Sequence, residues 1–226
     1  MKFFAAAASL ALVSFSYAAL PNDVVVKSLP DGCASYPLYD ANTGVAGPWT
    51  LKTWRNEDPN IRGFGNTHVY SVKFDPRVDR KPTIRWGYIT IPTRNDIAKT
   101  PLRCFNNALE ARVATDLTEA GEPTNFQWTP LSISSLPWDA PLLYKYTGGL
   151  PVKVFEHYID GVKQDGVFLG GYDNTTLWGF KYSAEQQGSY GMPYYYMRLL
   201  GPDSADPTTG AALKANETRG FIMIDA

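Results

Sequence analysis

The sequence predicts an all-β fold: an antiparallel β-sandwich, jelly roll or closed barrel of about ten strands, with little helix. Three observations carry that expectation. Short runs alternate apolar and polar residues with a period of two, the pattern of strands that bury one face and wet the other. Gly, Pro, Asn and Asp punctuate these runs at close intervals, as turns between antiparallel strands require. Helical periodicity is nearly absent: the best candidate, Thr93 to Leu109, contains Pro101, which lacks a backbone donor and crowds the preceding turn.

From the amino end, MKFFAAAASLALVSFSYAA has a positive start at Lys2, an apolar run and small residues at its close, so residues 1–19 are read as a secretory signal peptide. Residues 20–226 are then one secreted β-domain. In the run from His68 to Asp75, Tyr70, Val72 and Phe74 share a side with His68 and are expected to face a core. Leu109, Ala111 and Val113 oppose Glu110 and Arg112. Trp86 is grouped with Ile84 and Tyr88, and Trp128 with Phe126, as core rings. Between Val152 and Leu200 two Asp-Gly pairs, Asp160-Gly161 and Asp165-Gly166, mark tight turns, because both residue types tolerate positive φ. Asp173 to Thr176 leads into LWGFKYSA, where Trp178, Phe180 and Tyr182 share a face. A turn at Gly188 to Gly191 precedes YYYMRLLG, and Gly220 to Ala226 is the last strand.

Composition narrows the class. Hydrophobic residues make up 44% of the chain and charged ones 19%, which excludes a disordered protein. Without the leader, 20 basic residues face 22 acidic ones; that near-neutral balance argues against nucleic acid as a partner. No second apolar stretch is long enough to span a bilayer, so no membrane anchor is expected. The two cysteines, Cys33 and Cys104, most simply form one disulfide in an oxidising compartment. Asn174 and Asn216 head N-x-T sequons and are the N-glycosylation candidates.

Candidate chemistry is sparse. A serine triad would need His68 or His157, and no G-x-S-x-G elbow is present. A paired-carboxylate enzyme would draw on Glu110, Glu156 and Asp160, with Asp165 and Asp173 at nearby turns. Metal is not expected: Asp40 and Asn42 fall in a loop that lacks the other ligands of a calcium site. No cofactor is implied. Aromatic side chains are the surplus, with 14 Tyr, 11 Phe and 6 Trp. On the strand YYYMRL, Tyr194, Tyr196 and Arg198 share one face and form a candidate ligand patch. Trp49 and Trp138, beside prolines, are candidate exposed platforms.

These readings converge on a secreted, non-catalytic recognition domain for an extracellular glycan, cell-wall or host component. Two alternatives stand beside it: a cofactor-independent, glycoside-cleaving enzyme with a carboxylate pair, and an effector-like or structural wall protein acting through protein contacts. In general style the Ala-rich leader, single disulfide and sparse sequons resemble small secreted proteins of filamentous fungi.

Overall fold

The computed structural model describes residues 20–21, 23–184 and 192–226; the leader expected at 1–19 and the turn expected at 188–191 lie outside them. Strands account for 51% of the chain and short helical turns for 3%, so the all-β expectation holds. The first half carries β1 (Val24–Ser28), β2 (Tyr39–Asp40), β3 (Val45–Trp54), β4 (Asn66–Lys73), β5 (Thr83–Pro92), β6 (Leu102–Phe105), β7 (Ala108–Leu117) and β8 (Pro123–Ile133). The second half carries β9 (Leu142–Tyr144), β10 (Leu150–Pro151), β11 (Lys153–Ile159), β12 (Val162–Lys163), β13 (Phe168–Gly170), β14 (Leu177–Ser183), β15 (Tyr194–Leu199) and β16 (Glu217–Asp225). Thr93 to Leu109, the best helical candidate, is instead a loop, β6 and the start of β7; Pro101 sits just before β6.

Of the three architectures the sequence left open, the chain adopts the closed barrel. Nine antiparallel strands run β16-β14-β15-β5-β9-β8-β7-β6-β3, and β3 pairs back onto β16 from Trp54↔Phe221 to Thr50↔Asp225. Closure removes the free edges that an open sheet of this length would expose. Side chains fill the interior, among them Leu51, Ile89, Ile91, Leu102, Val113, Ile133, Trp178, Phe180, Met197 and Ile224. The alternation of Leu109, Ala111 and Val113 is reproduced, all three being buried. The Asp160-Gly161 turn also forms as expected: both residues have positive φ, and Ile159 pairs with Val162 across it.

β5 organises one side of the barrel. One of its edges pairs with β4 along its length, from Asn66↔Thr90 to Lys73↔Thr83. Its other edge is shared among β15 at Thr90–Pro92, β9 at Gly87–Tyr88 and β7 at Thr83. Two offsetting bulges interrupt the β4–β5 ladder, since Val69↔Gly87 is followed by Ser71↔Trp86 and then Val72↔Ile84. Tyr70 is the extra residue on β4 and Arg85 the extra residue on β5. A bulge re-aims the side chains around it. The sequence placed Tyr70, Val72 and Phe74 in a core; all three are exposed, and only His68 of that set is buried.

The disulfide joins Cys33, in a short helical turn, to Cys104 of β6, pinning the segment before β2 to the barrel wall. Beside it lies Trp49. This ring is not the exposed platform expected from the adjoining Pro48: it is 3% exposed on β3, stacks on Tyr36 at 5.4 Å, and donates from Nε1 to Pro37 O at 2.8 Å. Phe126 and Trp128 are likewise not core rings. Phe126 is exposed, and Trp128 is half-buried under the Arg103 guanidinium, 4.5 Å from its centroid.

Outside the barrel, β1, β11 and β13 continue the sheet from β16 and cover a second small core of Phe168, Phe221 and Met223. His157 of β11 is fully buried there, stacked on Phe168 at 3.7 Å, with Phe221 and Trp54 edge-on. Its Nε2 lies 2.9 Å from Thr176 Oγ1, and its Nδ1 has no partner among the described residues. Burial holds the imidazole neutral and pushes its pKa from 6.5 down to about 4. Between those two values the unfolded chain binds the proton and the native chain does not, so stability is complete above pH 6.5 and falls as the pH drops toward 4. The loss attributable to this ring is on the order of 3 kcal/mol. Thermal melts across pH 7 to 4 should show the decline, and His157→Phe should make it shallower, leaving the share of the similarly buried His68; an equally steep decline in that variant would remove His157 as a source.

Candidate functional site

A cleft of about 790 Å³ opens on the outer wall of the barrel, where β5 passes its edge from β15 to β9. Strand parity builds its floor. Ile89 and Ile91 of β5 point into the barrel, so Tyr88 points out; on β15, Tyr195, Met197 and Leu199 pack inward, leaving Tyr194 and Tyr196 outside. Tyr88, Leu143 and Tyr194 form a buried cluster separate from the main core, with Trp86, Tyr146 and Tyr196 packed against it. Gly87, between Trp86 and Tyr88, is required by packing: a Cβ there would collide with the Tyr144 hydroxyl and the His68 carbonyl.

The rings hold one another in place. Tyr88 and Tyr194 hydroxyls meet at 2.7 Å, and Tyr88 meets Tyr196 edge-on at 5.3 Å. His68 lies against both Tyr88 and Tyr194, at centroid distances of 4.9 and 4.3 Å; burial lowers its pKa to about 4, so at neutral pH it is an uncharged support. Tyr70, re-aimed by the bulge, stacks on Trp86 at 4.6 Å and remains 59% exposed. Tyr182, at the cleft's other side, is 50% exposed. Rigid rings with little rotamer freedom form a contact surface at low entropic cost.

Polar groups stand at defined points on this apolar surface. Asp139, from the loop before β9, accepts hydrogen bonds from the Tyr196 hydroxyl at 2.8 Å and Lys214 Nζ at 2.6 Å. Burial, then the Asp139 charge, pushes the Tyr196 phenol well above its ordinary range, so it stays protonated and donating. Lys181 lies opposite Tyr196 on β14, and Ser134 and Ser183 add hydroxyls. Several ring faces with a few directional polar atoms among them can bury a flat apolar face and hydrogen-bond the groups around its rim.

No protein-family model matches the chain, and no curated protein proves similar to it.

Of the residues singled out from sequence, the structure brings Tyr194 and Tyr196 together in this cleft. Arg198, on the same face of β15, does not join them. It is 1% exposed, and its guanidinium is held in a two-point pair by Glu217, with Nε to Oε1 at 2.8 Å and Nη2 to Oε2 at 2.7 Å. It also donates to the carbonyls of Trp138, Ser204 and Ala212. Arg198 is therefore a support for the loops that carry Asp139 and Lys214. Trp138 is 39% exposed next to that loop but does not line the cleft.

The acids are scattered. Glu110 on β7 pairs with Arg103 at 2.8 Å. Glu156 on β11 accepts from Lys163 Nζ at 2.6 Å and the Tyr158 hydroxyl at 2.8 Å, which holds its carboxyl below the ordinary range. Asp160 serves the β11–β12 turn. β7 and β11 are not neighbours in the sheet, and none of these three acids lines the aromatic cleft. Asn174 and Asn216 are exposed, and Asn174 also borders a second cleft of about 600 Å³, beside Val24, Leu177 and Phe221. Sequence reasoning missed Tyr70, Trp86, Tyr88, Tyr146, Asp139, Lys181 and Lys214; the only signal was a W-G-Y alternation, which reads equally as core.

Proposed function

We propose that the protein is a secreted, non-catalytic recognition domain that binds an extracellular glycan in the cleft between β5, β9 and β15. One observation carries this reading: over a floor of buried Tyr88 and Tyr194, the cleft presents the exposed rings of Tyr70 and Tyr182 and the half-buried Trp86, Tyr146 and Tyr196 beside Asp139, Lys181 and Lys214. Sugars present a flat face of C–H groups ringed by hydroxyls. Aromatic faces bury the first, and fixed carboxylate, amine and hydroxyl groups satisfy the second. The Cys33–Cys104 bridge supports an oxidising place of work. The scattered acids favour binding over the carboxylate-pair enzyme, which needs two carboxyl groups within one cleft.

The test is a glycan array and a cell-wall polysaccharide pull-down with the purified protein and Trp86→Ala. Truncating a central ring of a recognition site costs about 2 kcal/mol, roughly thirtyfold in affinity. Wild type should bind a defined class of glycan and the variant should lose it while melting at a similar temperature. A blank array from folded wild-type protein would remove the glycan reading.

A further inference from the structure

We infer that the tip of the β4–β5 hairpin, at the far end of β4 from its buried His68, docks on an anionic lipid surface. Exposed large apolar side chains gather there. Val72 and Phe74 are exposed, and Val78 at the turn is 79% exposed. Scattered single exposures are ordinary, but three apolar residues within one hairpin end call for something that covers them.

Charge identifies the occupant. Lys73, Arg77, Arg80, Lys81 and Arg85 surround those side chains and all are exposed. Asp75 and Asp79 are the only acids of the 73–85 segment, leaving it at +3 in a chain whose formal net charge is −1; Asp116 of β7, 3.6 Å from Lys81 Nζ, brings the tip to about +2. Both acids are engaged in shaping the turn. Asp75 Oδ1 accepts from the Arg77 amide at 3.0 Å, and Asp79 Oδ2 accepts from the Asp75 amide at 2.9 Å. The Val78 and Asp79 amides donate back to Asp75 O. The turn is thus pre-shaped, with Val78 held outward, and needs little ordering on contact.

A second copy of this chain is disfavoured, because two positively charged tips would repel. Sugar faces stack on rings and gain little from Val78. An apolar tip with flanking cations matches a bilayer with anionic headgroups, where aliphatic side chains enter the acyl boundary and Lys and Arg remain at the phosphates. None of these apolar or cationic residues lines the glycan cleft, so the two proposals stand or fall separately.

Co-sedimentation with vesicles tests it, using phosphatidylcholine alone and equal parts phosphatidylcholine and phosphatidylserine. The protein should sediment with the mixed vesicles only, and less at high salt. Val78→Asp, whose side chain is outside the core, should cut binding at least about tenfold with an unchanged melting temperature. Joint Arg80→Gln and Arg85→Gln should cut it about twenty-five-fold, near fivefold per cation, and Val78→Leu should restore what Val78→Asp loses. Equal sedimentation with both vesicles, none with either, or full binding by Val78→Asp would overturn the inference. So would retention of Val78→Asp on dextran sulfate with wild-type affinity alongside unchanged vesicle binding, which would assign the cations to a polyanionic chain.

Discussion

Replacing Glu217 by alanine should lower the stability of the barrel by about 3–5 kcal/mol, the cost of leaving a buried guanidinium without its counter-charge. For a chain of this size that is a fall of roughly 10 °C in melting temperature. The physical basis is burial of both partners: side-chain exposure is 1% for Arg198 and 0% for Glu217. Gly179, across β14, exists to admit the carboxylate, since a Cβ there would strike Glu217. Glu217 also accepts the Lys214 amide at 2.8 Å, so the variant should loosen the loop that brings Lys214 to the cleft and weaken ligand binding as well. The double variant Arg198→Met, Glu217→Leu removes both charges and should recover part of the stability. It should not recover binding, because the carbonyls of Trp138, Ser204 and Ala212 lose their shared donor. A Glu217→Ala protein that melts within a degree or two of wild type would show that the pair contributes nothing net.

Loss of the Cys33–Cys104 bridge should have an effect of similar size by a different route. The bridged residues are 71 apart in sequence, and closing a loop of that length restricts the unfolded chain by roughly 4 kcal/mol in the chain-entropy account. The double variant Cys33→Ser, Cys104→Ser avoids an unpaired thiol and isolates the crosslink. Its denaturant midpoint should fall clearly below that of the oxidised protein, and reduced wild type should match it. Both cysteines are buried in the main core beside Trp49 and Leu102, so the variant should stay folded at moderate temperature with its β spectrum intact. Equal midpoints for oxidised and reduced protein would mean that the bridge is not a source of stability. Unlike the Glu217 change, this one should leave the cleft unaltered, because no strand of the cleft floor carries either cysteine.

The two effects differ in how far they could be seen in advance. The disulfide followed from count and compartment, which need no coordinates. Arg198 looked like a ligand-binding cation, since parity put it on the face of Tyr194 and Tyr196, and that much was right. What parity lacks is the neighbour: Glu217 stands 19 residues on, two strands across, and nothing local announces that the pair is buried. Tyr70 failed for a related reason. A bulge moved it out of the alternation that assigned it to a core. Trp49 failed because Pro48 beside it suggested a loop, while β3 runs through that proline as part of the wall.

The sequence by itself determined the β class, the tight turn at Asp160-Gly161, the sulfur pair, and the shared side of Tyr194 and Tyr196. Each of these rests on short-range chemistry: two-residue periodicity, positive φ and the number of thiols. Only the tertiary structure decided that the sheet closes, which of its faces is dry, and that rings from β4, β5, β14 and β15 meet in one cleft while Glu110, Glu156 and Asp160 stay outside it. Alternation separates two faces without saying which is inside. That choice belongs to strand pairings formed between residues far apart in the chain.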